Sequence, residues 1–541
     1  MVTTRRRKHW GWGFEDEQPS HAEVERAAAG VRDHLGFPAG EVERPVALED
    51  VRLPPPRLEP PPTLAGICRS DTYERATHAY GCSYRDVVRA FRGRFENPPD
   101  VVAHPTDEAE LERVLAWCVE QNAAAIAFGG GTSVVGGVEP AVPESYAGTV
   151  TIDLKGLDRV LDVDPVSRAA RIQAGATGPM LEAQLKEHGL TLRHYPQSFE
   201  FSTLGGWIAT RAGGHFATLH THIEDFVESV RALTPSGVWE SRRVPSSGAG
   251  PSPDRLLIGS EGILGVITEA WVRVRAVPRF KASAGVLFPG FGEGVGAVRA
   301  LAQSGLHPSN CRLLDPGEAA LTGAAPDGRA LLMLGFESAD HPLDAWMERA
   351  LECCRDHGGA LPAAPAVGER GEAEGAWREA FLRMPYLRDT MVAGGILAET
   401  FETAMTWDRL DAFVAAVRER TEAALGDGCR ARGAGLGPDR SDVHLSCRLT
   451  HVYPDGAAPY FTVLAPARRG AELEHWGEVK RAASDAIAAA GGTVTHHHAV
   501  GRDHRPWYDR QRPEPFAAAL RAAKAAVDPA GILNPGVLID P

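Results

Sequence analysis

"AAAIAFGGGTSVVGG", residues 123–137, runs from six small or apolar side chains into a loop with five glycines in the ten positions 128–137. The apolar run has the length and flanks of a buried strand. Glycine lets successive backbone N–H groups turn toward an anion and lets that anion come close, so a loop without lysine can still cradle phosphate. Two common nucleotide patterns are excluded, since neither Gly-x4-Gly-Lys nor Gly-x-Gly-x-x-Gly occurs in the loop. The order of elements also runs against a Rossmann unit, because a helix precedes the strand and none follows the loop. Taken alone, such a loop is more often a tight surface turn than a ligand cradle.

Upstream, Val101 and Val102 suggest a strand, and Thr106 can cap a helix whose first turn carries Asp107 and Glu108. Leu111, Val114, Leu115, Cys118 and Val119 form its apolar stripe. Downstream come alternating strand patterns at 148–163 and 168–174 and a helix at 178–188. "DFVESVRALTPSGVWES" then predicts a hairpin, with Val227, Ser229, Arg231 and Leu233 alternating into the turn Pro235, Ser236, Gly237. Beyond Pro278 strands alternate with amphipathic helices, which implies an antiparallel sheet with helices on one face. The tail helix stops at Pro529 and Gly531. Before Pro98, two short helical patterns flank a proline-rich stretch, 41–63, expected to run extended over a surface. The expected division is an N-terminal helical and extended segment (1–96), a ligand-binding domain (97–280), a cap domain (281–499) and a C-terminal segment (500–541) that returns to the ligand-binding domain. The fold class is α+β.

At 541 residues the chain exceeds what one hydrophobic core usually supports, which agrees with at least two domains. A formal charge of -14 argues against a nucleic-acid footprint. The eight cysteines are scattered, without Cys-x-x-Cys, and point to reduced thiols in a cytoplasmic protein. The basic start "TTRRRKHW" leads into "GWGFEDEQPS" rather than an apolar stretch, so no secretory signal is complete. No run of about 18 apolar residues occurs, which excludes an ordinary spanning helix and leaves peripheral lipid contact open. The end "VLIDP" carries no peroxisomal address, and the Ala, Gly and Arg bias points to a bacterial source.

Two further glycine-rich stretches, "PQSFEFSTLGGWIATRAGGH" (196–215) and "GSEGILGVITEAWVRV" (259–274), fall in the same expected domain. Three such loops suggest backbone wrapped around a long, flat ligand. The set resembles the FAD-binding domain of the vanillyl-alcohol-oxidase (PCMH) type of flavoproteins, which pair it with an antiparallel-sheet cap. That resemblance implies a pyrophosphate at Gly129, Gly130, Gly131, Thr132 and Ser133. It also implies contacts to the ribityl chain and flavin from Pro196, Gln197, Ser198, Ser202, Thr210, Arg211 and Ala212, and from Glu261, Gly262, Leu264, Gly265, Val266 and Ile267. The first loop has no histidine for a covalent link, so non-covalent FAD is expected.

"WGWGFEDE", "CRLLDPGE" (311–318), "PYLRDTMVAGGILAETFETAMTWDRL" (385–410), "SCRLTHVYPDGAAPYF" (446–461) and "THHHAVG" (495–501) resemble, more narrowly, alkyldihydroxyacetonephosphate synthase. That family exchanges the acyl group of an acyl-dihydroxyacetone phosphate for a long-chain fatty alcohol with no net redox change. Its flavin N5 captures the carbon next to the ketone. Family members tend to be homodimers. The resemblance implies that Arg312 and Arg388 bind the phosphate or polarise the ketone, that Tyr460 shuttles a proton, and that His496, His497 and His498 handle or orient the substrate, with His497 the favoured contact. His504 is expected at the surface.

No metal is expected. In a strand His496 and His498 would face one way and His497 the other, so three neighbours do not converge on one ion. The main rival is an FAD-dependent 2-hydroxyacid dehydrogenase or oxidase of the D-lactate or glycolate type, some of which use cap histidines for a metal. A lipid-binding or scaffold protein with a vestigial flavin fold is a third class. "CRLLD", "YLRD" and "APYF" together favour the synthase.

Overall fold

The strand Ala123–Phe128 pairs in parallel with Gly148–Asp153, which pairs in parallel with Val101–Ala103. Cys68–Arg69 completes this four-stranded sheet along the far edge. The structure is a computed structural model and describes residues 5–325, 327–361, 385–434 and 443–540. The helix Glu108–Gln121 precedes the central strand, as its stripe predicts, but its cap is Asp107, whose carboxylate accepts from Glu110 N–H at 2.8 Å. Thr106 instead donates its hydroxyl to the Glu110 carboxylate. Leu111, Val114, Leu115 and Cys118 are buried, whereas Val119 is 40% exposed and Trp117 takes the inner position. Leu533 bridges to Ala125, and Asn534 N–H donates to Ala125 O, so the end of the chain closes the sheet's open edge.

A second sheet is antiparallel throughout, in the order Val160–Asp164, Ala169–Gln173, Val266–Arg273, Val227–Thr234, Gly237–Glu240. Its last two strands are the expected hairpin, with Thr234 opposite Gly237.

The third sheet is built from Phe280–Phe288, Ala330–Ser338, Asn310–Leu314, His444–Val452, Gly456–Pro466 and Ile396–Glu402, with Met405–Thr406 attached to Gly456–Pro466. Every pairing in it is antiparallel. Strand alternation divides its residues cleanly. Cys311, Leu313, Cys447, Leu449, Phe461 and Val463 enter one core with the helices Phe291–Gln303, Asp344–Arg355, Leu410–Ala431 and Glu472–Ala489. Arg312, Arg448, Tyr460 and Thr462 point to the other side, toward the first two sheets. That second face is not bare, because the short helix Pro316–Leu321 packs on it through Ala319.

The residues before Pro98 are not an appendage. Tyr84, Val87, Val88 and Phe91, on the helix Tyr84–Phe91, are buried in the same core as the cap helices. Burial of each large side chain there contributes roughly 1.5–3 kcal/mol. All eight cysteines are buried free thiols. Among the described residues no helix is long and apolar enough to cross a membrane.

Candidate active site

A cavity of about 370 Å³ lies between the glycine loops and the polar face of the third sheet. Residues 129–134 form one end. Gly131 adopts φ +64°, and a side chain at Gly130 would strike the backbone of Phe201 and Ser202, so the close approach there requires glycine. The loop is tied through its acceptors: Ser133 O accepts from Cys82 N–H at 2.7 Å, and Ser133 Oγ accepts from Gly137 N–H at 3.0 Å. Among the described residues no acceptor meets the backbone N–H groups of 130–134. A row of unclaimed donors around a space that no side chain can fill suits a pyrophosphate.

Pro196, Gln197, Ser198, Ser202, Thr210 and Ala212 line the next stretch of wall. Ser202 Oγ accepts from Trp207 Nε1–H at 2.7 Å, fixing a buried indole beside the cavity. Arg211 does not belong to this wall. It sits in the left-handed region, φ +53°, at the end of the helix Leu204–Thr210, and its exposed side chain pairs with Glu224 at 2.8 Å. The 261–267 stretch also stands outside the lining. Glu261 accepts from Val500 and Gly501 N–H, both at 2.8 Å, while Leu264 is core and Val266 and Ile267 pair with Leu233 and Ala232. Glu261 therefore braces the segment after the histidines, and its burial pushes its pKa up to about 7.

Across the cavity stand Arg312, Arg388 and Tyr460, as expected, together with Arg448, which the sequence reading missed. Arg388 donates to Cys82 O at 2.7 Å. Burial, reinforced by Arg448, lowers the pKa of Arg312 to about 9. Arg448 is wholly buried, paired with Glu318, and lies 3.8 Å from the centre of the Tyr460 ring. Arg448 and Tyr460 face each other in the ladder, so strand register carries the pairing. The one available signal was parity: Arg448 shares a face with Tyr460 once their hairpin is drawn. Burial raises the Tyr460 hydroxyl above its ordinary pKa.

The histidine run is not a strand. Residues 495–498 bend around the buried carboxylate of Glu402, which accepts from the N–H groups of His496, His497 (3.1 Å) and His498 (2.8 Å) and from Thr495 Oγ1 (2.6 Å). Burial opposes charge on Glu402, but His498, His496 and these donors outweigh it and hold its pKa below the usual range. The wrapped backbone cancels the alternation expected of a strand. His497 and His498 line the cavity, and His496 turns behind it, 2.7 Å from Tyr453 Oη. Burial first, and neighbouring imidazoles after it, hold His496 and His497 well below the ordinary histidine pKa, so both are neutral near pH 7. His504 is buried, not superficial, with Nδ1 2.9 Å from Ala499 O.

His451, also unanticipated, lines the cavity as well, with Nε2 3.0 Å from Gly214 O. One ring nitrogen from each of His451, His496 and His497 lies within 4.8 Å of the other two, a spacing one cation could use. The nearest carboxylate, Glu402, is already filled by backbone donors, and His496 Nδ1 and His497 Nδ1 meet each other at 3.0 Å.

Residues 99–241 match the FAD binding domain family, and residues 277–538 match the family of FAD linked oxidases, C-terminal domain. Fold and site thus define an FAD-dependent flavoenzyme of the vanillyl-alcohol-oxidase type, with a cap sheet facing the cofactor loops. The chain is 30% identical to alkyldihydroxyacetonephosphate synthase of Dictyostelium discoideum, over 94% of this chain and 87% of the relative. It is 31% identical to the synthase of the same name from Trypanosoma brucei brucei, over 90% of this chain and 82% of the relative. A solved alkyldihydroxyacetonephosphate synthase superposes with a TM-score of 0.79 at 26% identity, covering 98% of this chain and 97% of that one. The protein belongs to the alkyldihydroxyacetonephosphate synthase family.

Proposed function

We propose that the protein replaces the acyl group of an acyl-dihydroxyacetone phosphate by a long-chain alcohol, forming an ether bond with no net redox change. The observation that carries this reading is the make-up of the cavity: two guanidinium groups, the buried Arg312 and the half-buried Arg388, share it with the apolar side chains Val31, Leu321, Leu387, Met391 and Leu464. Arg448 is paired with Glu318, and we assign the phosphate to Arg312 and Arg388, whose guanidinium groups line the cavity beside it. One such charge at about 4 Å contributes roughly 4 kcal/mol of Coulomb energy at an effective dielectric of 20. The apolar side chains hold alkyl groups and exclude water. Bound FAD supplies the electrophilic centre that accepts the substrate carbon.

The chain's own residues manage the proton. Neutral His497 has Nδ1 on His496 and keeps Nε2 for a ligand in the cavity, so it removes the proton from the carbon next to the ketone. Tyr460, whose raised pKa keeps it protonated, donates a hydrogen bond to the oxygen that gains charge. Arg448 beneath the ring fixes that hydroxyl. A 2-hydroxyacid oxidoreductase needs one cation for a carboxylate and has no use for five apolar side chains beside it.

Flavin-loaded protein is to be incubated with palmitoyl-dihydroxyacetone phosphate and hexadecanol, and separately with D-lactate and an electron-accepting dye. Alkyl product without dye bleaching is expected. Bleaching by hydroxy acid with no ether product overturns the reading.

A further inference from the structure

A base in a cavity wall beside apolar side chains raises a transport problem: the positive charge that His497 gains with the substrate proton must be drained away. On the far side of the histidine turn lies an open groove of about 1040 Å³, lined in part by Thr221, Asp225 and Tyr453. Groove and cavity are joined by an unbroken hydrogen-bonded file. Thr221 Oγ1 lies 3.1 Å from Tyr453 Oη, Tyr453 Oη lies 2.7 Å from His496 Nε2, and His496 Nδ1 lies 3.0 Å from His497 Nδ1. Every member can both give and accept a proton while neutral.

We propose that His496, Tyr453 and Thr221 are a proton outlet that connects His497 in the active cavity to solvent in the groove. The inference rests on the proposed role of His497 as the group that takes the substrate proton. The transfer balances without any other reagent. At the start His497 carries its proton on Nδ1 and gives that hydrogen bond to His496 Nδ1, His496 gives Nε2–H to Tyr453 Oη, and Tyr453 gives its O–H to Thr221. When His497 Nε2 gains the substrate proton, each member passes its own proton one step outward, and Thr221 releases one to groove water. One proton enters, one leaves, and no imidazolium or phenolate remains.

Two features hold the file in place. The backbone of His496 and His497 is pinned by Glu402, and His222 Nε2 lies 2.9 Å from His496 O. A hydrogen bond that served only to satisfy a buried tyrosine would need one partner. Tyr453 has two, one on each side of the wall between the hollows.

Tyr453 is a positioning residue that never meets the substrate, and Tyr453→Phe removes the file while keeping the ring. The rate of ether formation should slow at least about tenfold in Tyr453→Phe, because the charge His497 gains is no longer drained, a size within the range of acid–base effects. FAD retention and substrate KM should stay at wild-type values, and added imidazole should restore part of the rate, which a packing defect would not allow. Thr221→Val, expected to slow turnover less, serves if the Phe variant fails to fold. A second readout needs no substrate: the proton shared between the two Nδ1 atoms should give a far-downfield resonance whose fading in D2O is slower in Tyr453→Phe than in the wild type. Absence of ether product with this difference intact overturns the proposed function alone. Unchanged turnover and unchanged fading, or a stoichiometric metal ion in the purified protein bound by these histidines, overturns the outlet.

Discussion

The glycine loop at 129–134 and the histidine turn at 495–498 are the same device put to opposite uses. Both aim successive backbone N–H groups into a concavity, the arrangement that favours an anion. The loop's donors meet no acceptor among the described residues, whereas the turn's donors close on the protein's own Glu402. An open nest receives a ligand; a filled one sets the side chains it carries. The filled nest is what sets His497 and His498 in the cavity and His496 behind it against Tyr453, and glycine is unnecessary there because nothing larger than a carboxylate has to approach.

Emptying the filled nest should have the largest effect. Glu402→Ala takes the acceptor from Thr495 Oγ1 and from the N–H groups of His496 and His497 and leaves His498 N–H only Thr495 Oγ1, at a cost of about 1–3 kcal/mol for each donor left without a partner, with turnover abolished. The wild-type pH profile carries the sign. The folded pKa of Glu402 is depressed, so its stabilisation is complete above the unfolded value of about 4.3 and drains away as pH falls through the lower folded value. Urea midpoints measured from pH 7 down to pH 3 should drop below about pH 4 in the wild type, and Glu402→Gln should lack that share of the drop. Next in size, Arg312→Met should weaken substrate binding or turnover by about 2–4 kcal/mol while the flavin spectrum stays normal, and Arg312→Lys should not restore it, because a planar fork is lost. Flavin loss in Arg312→Met would mean that the cap arginine belongs to the cofactor nest instead.

Crowding the open nest comes third. Gly130→Ala forces a methyl group into the backbone of Phe201 and Ser202, an overpacking cost of about 1–3 kcal/mol. FAD affinity should fall roughly tenfold or more, read by flavin fluorescence released on dilution, and the melting temperature of the apoprotein should fall with it, because the clash lies within the chain. An unchanged affinity would show that the loop can yield.

The open nest was legible only together with the two other glycine-rich stretches and the resemblance they carry, since five glycines in ten residues alone read as a tight turn. Arg312 and Tyr460 came from the resemblance, whereas the cap sheet was legible through alternating strands and amphipathic helices. The filled nest was not, because its anion lies 94 residues upstream and nothing in "THHHAVG" announces it. Arg448 escaped for the same reason, since a fully buried arginine is tolerable only with a partner, and Glu318 is 130 residues away. His504 looked superficial among charged neighbours, yet its ring is buried and bound to the backbone five residues back.

Arg211 and the 261–267 stretch, which the resemblance named as FAD contacts, lie outside the cavity lining. Arg211 closes a helix in a left-handed conformation and sends its guanidinium outward to Glu224. What the ligand wall requires at this place is the turn that carries Thr210 and Ala212, not the side chain between them. Arg211→Ala should therefore be the mildest change of the four: an exposed ion pair contributes less than about 1 kcal/mol, and FAD retention and turnover should remain within about twofold of wild type. Arg211→Gly should behave alike, because the left-handed backbone suits glycine without strain. A pronounced loss of FAD in Arg211→Ala would place that side chain in the open nest after all and erase the distinction between donors offered by backbone and charge offered by side chains.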